Sequence, residues 1–99
     1  MSFWSRIFGP SWSLPIPCGY WAYVAASVAQ DNGLEATVCT GPHIKTGRSH
    51  AQAQAILDGN LEWIGVEGRR VVKAKGELVR IIRRDTPSVF LYSWTRPGP

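Results

Sequence analysis

Between Gly19 and Gln30 the apolar positions are Trp21, Val24, Ala25, Val28 and Ala29. Their spacing of i, i+3, i+4, i+7, i+8 marks one face of an α-helix. Asn32-Gly33 then offers residues suited to a left-handed helix cap. Downstream the period shortens to two. Ala51, Ala53, Ala55 and Leu57 alternate with His50, Gln52, Gln54 and Ile56, the pattern of a half-buried strand. Asp58-Gly59 supplies the backbone conformation of a tight type I′ turn, and Leu61 to Glu67 is the returning strand. Leu34 to Thr40 predicts a shorter strand before this hairpin. Val71 to Lys75, Leu78 to Arg83 and Val89 to Trp94 predict three after it, separated by Gly68, Gly76-Glu77 and Asp85-Thr86-Pro87. Met1 to Pro17 places Phe3, Trp4, Phe8 and Trp12 among prolines, which suggests an extended arm over the core with one helical turn at Phe3 to Phe8. The expected fold is a single α+β domain spanning residues 1–99. One N-terminal helix carrying Cys18 packs on an antiparallel sheet of about five to six strands.

The hairpin has a chemical consequence. With Asp58 and Gly59 as the whole loop, Leu57 faces Asn60, and at the far end His50 faces Glu67 on one side of the sheet. A histidine beside a carboxylate is two thirds of a nucleophilic triad. Cys18 stands three residues before Trp21 and extends the same helical face to the helix start. There the unpaired N–H groups and the helix dipole favour a thiolate. His43, in the loop from Gly41 to Ser49, is placed to rim such a site. Gln52 and Gln54 share the face of His50, where they either bind substrate amides or form a solvated strand face.

Composition narrows the setting. Ninety-nine residues, 44% of them apolar, suffice for one modest core. Two cysteines and no continuous apolar leader predict a reducing, cytoplasmic compartment, with a Cys18–Cys39 disulfide as the alternative. No run approaches the length of a membrane span. Cys18, Cys39, His43 and His50 lack the close paired spacing of structural zinc ligands, so neither metal nor cofactor is expected. The net charge of +4 is uneven: Arg69, Arg70, Lys73, Lys75, Arg80, Arg83 and Arg84 face only Glu77 within one segment. That bias admits a nucleic-acid partner, although spaced strand charges more commonly face water.

Cys18-Gly19-Tyr20-Trp21-Ala22, Ser49-His50-Ala51 and Trp63-Ile64-Gly65-Val66-Glu67, in that order, resemble the transglutaminase-like branch of the papain-like cysteine-protease superfamily. The resemblance spans roughly residues 15 to 68 and is closest in the hairpin. It implies a helix headed by the nucleophile on an antiparallel sheet carrying histidine and acid. It also implies thiol-dependent acyl transfer or hydrolysis on a peptide or side-chain amide, as in a protease, amidase, deamidase or transglutaminase. Cys18 would attack, His50 move the proton and Glu67 orient the ring. Three departures stand out. Glu67 replaces the family's aspartate, Gln52 replaces an aromatic, and no glutamine precedes Cys18 to complete an oxyanion hole. That last task falls to the Cys18 N–H with Trp12 or Tyr20. The alternative is a non-catalytic small basic protein, for example phage-encoded, that binds or inhibits a protein or nucleic acid.

Overall fold

The computed structural model describes residues 18–90, without the side chain of Cys18. Helix α1 (Cys18–Asp31) is followed by strands β1 (Ala36–Pro42), β2 (Ser49–Leu57), β3 (Asn60–Glu67), β4 (Arg70–Lys73) and β5 (Arg83–Asp85). The five strands form one antiparallel sheet in the order β4-β3-β2-β1-β5, and α1 lies across it. The α+β architecture expected from the sequence is therefore present. The aromatic arm 1–17, including Trp12, and residues 91–94 of the expected last strand lie outside the described residues. No helix among the described residues is long and apolar enough to cross a membrane.

Helix α1 ends as its sequence dictates. Gly33 adopts φ +82°, with Leu34 N–H bonded to Ala29 O (3.0 Å) and Gly33 N–H to Gln30 O (2.9 Å). These are the two bonds of a Schellman cap. The buried stripe is rotated from the expected one: Ala22, Ala25, Ala26 and Ala29 face the sheet, while Trp21 is 45% exposed and Val24 and Val28 are half-buried. Opposite the stripe stand Ala36, Val38, Ala51, Ala53, Ala55 and Ile64. The pairs Ala36↔Ala55, Val38↔Ala53 and Ala53↔Ile64 put these on one face. Small side chains on both layers let the helix backbone settle close to the strands, so bulkier residues are moved to the flanks. A scale that counts alanine as weakly apolar hides this preference.

The opposite face departs most from expectation. Asp58 (φ +51°) and Gly59 (φ +82°) make the predicted turn, and Leu57↔Asn60 starts the predicted register. The β2–β3 ladder nevertheless stops at Ala53↔Ile64. Beyond it β3 pairs only with β4, through Val66↔Val71 and Glu67↔Arg70, so Glu67 does not face His50. After Lys73 the chain leaves the edge and crosses the face away from α1. Ala74 N–H bonds Trp63 O (2.9 Å), and Gly76 lies against the Trp63 indole, where a Cβ would fall 2.6 Å from Nε1. Ile44 N–H bonds Glu77 O (2.9 Å), Val79 N–H bonds Pro42 O (2.8 Å), and Ile82 N–H bonds Thr40 O (2.8 Å). This strap replaces most of the strand expected at Leu78 to Arg83. Regular pairing with β1 begins only at Thr40↔Arg83. Gly41 permits the approach, since a Cβ there would overlap the Arg80 carbonyl. Residues 87–90 form a helical turn where a strand was expected to begin, with Phe90 buried and its N–H bonded to Thr86 O (2.8 Å). Pro87 suits the first helical position because its missing N–H would be unpaired there anyway.

The alanine seam makes a direct prediction. Ala26 is fully buried, so Ala26→Val must push the helix outward and is expected to lower stability by about 1–3 kcal/mol. Urea denaturation reads this as a lower midpoint; an unchanged midpoint would mean that α1 does not sit on the strands through this stripe.

Candidate functional site

The strap delivers a carboxylate to two imidazoles. His50, near the start of β2, places Nε2 3.2 Å from Glu77 Oε1. His43, just past β1 and bridged to Leu78, places Nε2 3.7 Å from Glu77 Oε2. The two rings meet edge to face with centroids 4.7 Å apart. The histidine side chains are 18% exposed and that of Glu77 is 49% exposed, so the cluster opens to solvent on the carboxylate side.

Backbone contacts hold all three in place. Gly41↔His50 pairing fixes the start of β2. His43 N–H bonds Arg48 O (2.8 Å), closing the loop between β1 and β2. Glu77 is held at both main-chain ends. Its N–H bonds Gln52 Oε1 (2.8 Å), and its carbonyl accepts from Ile44. Gln52 Nε2 also bonds Lys75 O (2.6 Å). Gln52 is thus buried and its carboxamide is spent on the strap.

The hydrogen bonds also assign protons. A carboxylate only accepts, so the His50 nitrogen facing Glu77 carries the proton and Nδ1 is the basic nitrogen of the neutral ring. His43 Nδ1 accepts from Lys45 N–H (3.0 Å), which places that ring's proton on Nε2, toward Glu77.

Where β2 and β3 part, a cavity of about 420 Å³ opens. Trp21, Ala22 and Ala25 line it from the N-terminal half of α1, and His50, Gln52 and Glu77 from the other side. Strand alternation puts His50 with Gln52 and Gln54 on the face away from α1. The gap between the strands is what joins the two faces. Cys18 begins α1 one turn before Ala22; its side chain, like Trp12, lies outside the described residues. Tyr20 is half-buried, its ring edge-on to Trp21 at 5.9 Å. Glu67, expected to orient His50, is exposed and paired across the strand with Arg70.

Cys39 is buried and free. Its thiol bonds Gln54 Oε1 (3.4 Å), which Arg84 also engages. Burial pushes this thiol's pKa up, opposed by the Thr37 hydroxyl and the Arg84 charge. Cys39 is therefore a protonated core thiol. The basic segment does not make one surface. Arg70 and Lys73 lie on β4 and Arg83 and Arg84 on β5, at opposite edges of the sheet. Arg83 is paired with Asp85 (2.6 Å).

No protein-family model, curated protein or solved structure matches the chain.

Sequence reasoning found both histidines but not Glu77, which sits in an expected turn 27 residues from His50. The available signal was Gly76, small enough to pass under a tryptophan beside an acid. Two outcomes follow. Gln52→Leu leaves Lys75 O and Glu77 N–H without partners and should destabilise by about 1–3 kcal/mol, read by chemical denaturation. Nitrogen-15 NMR of the imidazoles should show His43 as the Nε2–H tautomer when neutral; an Nδ1–H ring would remove the Lys45 contact.

Proposed function

We propose that this chain is a thiol-dependent enzyme that transfers or hydrolyses an acyl group of a peptide or side-chain amide. Cys18 is the nucleophile, His50 the base, and Glu77, in place of Glu67, the carboxylate that orients the ring. The observation that carries the reading is the His50 Nε2–Glu77 Oε1 contact of 3.2 Å at a cavity shared with the first turns of the helix that begins at Cys18. The resemblance of the Cys18 and His50 segments to the transglutaminase-like branch supports the same assignment.

The chemistry follows from which nitrogen is free. Glu77 holds the proton on Nε2, so Nδ1 takes the proton of the Cys18 thiol. The thiolate attacks the amide carbonyl carbon, and the C–N bond breaks as His50 returns the proton to the departing nitrogen. Water or an amine, deprotonated by the same ring, then cleaves the thioester. The Cys18 N–H, which has no partner within the helix it begins, is a donor for the oxyanion. The cavity lies within the range of small-ligand sites, about 300–1,000 Å³. Its walls of Ala22, Ala25, Ile64 and Val66 favour an uncharged substrate side chain. A free thiol nucleophile is kept reduced in the cytoplasm, the compartment this proposal requires.

Iodoacetamide at neutral pH should label Cys18 and spare Cys39; equal labelling of both would favour a non-catalytic binding protein. On a peptide substrate, Cys18→Ala should abolish turnover of a still-folded protein. Glu77→Gln should lower kcat by about 10²–10⁴, whereas Glu67→Gln should leave it nearly unchanged. Equal effects of the two glutamate variants would remove Glu77 from this role.

A further inference from the structure

We propose that His43, His50 and Glu77 also form a binding site for one Zn²⁺ ion, with a fourth position open to water. Each residue offers one donor atom, and the three atoms all lie within 4.8 Å of one another. Two histidines and a glutamate with an open position are a donor set that suits zinc. Geometry agrees with chemistry. Ligand atoms about 2.05 Å from a tetrahedral ion lie about 3.3 Å from each other. The contacts of Glu77 with His50 Nε2 (3.2 Å) and His43 Nε2 (3.7 Å) bracket that value. These two contacts use different carboxylate oxygens, and the three donors, one per residue, lie within 4.8 Å of one another, so seating an ion draws the donors together around it.

The main chain of Glu77 needs no adjustment, because Gln52 and Ile44 hold it independently of the carboxylate. One contact must change. Zinc on His43 Nε2 moves the ring proton to Nδ1, which then cannot accept from Lys45 N–H. Lys45 is exposed, so water can take up that amide.

The metal site does not rest on the thiol reading, but the two uses of His50 exclude each other. Zinc on Nε2 leaves the proton on Nδ1, the atom that otherwise accepts from Cys18. A bound ion therefore switches the base off, and any thiol activity is held down by zinc.

The test is titration of ZnCl₂ into the metal-free full-length chain carrying Cys18→Ser, followed by isothermal calorimetry, with Co²⁺ absorbance as a second readout. Replacing the Cys18 thiol by serine keeps the result separate from any failure of the catalytic proposal, which labelling and turnover report. Binding of one ion per chain is expected. His43→Ala and Glu77→Gln should each weaken it by at least about a hundredfold, since losing even a ligand's supporting partner costs about 10–100-fold. Glu77→Gln keeps the main-chain bonds of the strap, so it tests the ligand without unfolding the site. Absence of zinc binding, or full affinity in the Glu77→Gln protein, would overturn the assignment.

Discussion

The carboxamide of Gln52 is the small interaction on which the meeting of His43, His50 and Glu77 depends. A hairpin that paired along its whole length would set Glu67 opposite His50 at the start of β2. Here the ladder ends at Ala53↔Ile64, and the Gln52 side chain continues it. It offers an amide donor and acceptor to Lys75 and Glu77, as a strand would. A buried carboxamide with both ends matched is stable; with either end unmatched it is costly. This demand makes the position of residues 75–77 specific and brings a distant glutamate to the two histidines.

The same departure opens the cavity. Where β2 and β3 separate, the sheet no longer isolates its two faces, and the first turns of α1 reach the space beside His50 and Glu77. The alanine seam sets how near they come. Alanine against alanine lets the helix lie low, so the cavity floor is made of small apolar side chains. Larger residues such as Trp21 are left at the rim, half in water.

The His43–His50–Glu77 cluster and Cys39 show opposite uses of polarity. Cys39, Gln54 and Arg84 satisfy one another between β1, β2 and β5, and the buried thiol keeps its proton. The histidine cluster is only partly covered, and its carboxylate reaches solvent. A group that must exchange a proton or accept an ion needs such access. The proposed base, Nδ1, and the proposed metal ligand, Nε2, belong to one ring, that of His50, so the partner of Nε2 decides which chemistry the ring can do.

Local chemistry along the chain was enough to establish α1 with its glycine cap, the hairpin with its Asp58-Gly59 turn and the α+β class, and to single out His50 as a candidate. Each depends on contacts within a few residues or on a simple period, so each is written locally. Helix rotation, the early end of the β2–β3 ladder and the strap at 74–82 were not legible. They arise from competition between distant segments for the same backbone groups and the same close-packed space. Glu67 stood opposite His50 by turn arithmetic. Glu77 stands beside that ring because the β2–β3 ladder ends at Ala53↔Ile64 and the Gln52 carboxamide holds residues 75–77, contacts that exist only once the chain has folded.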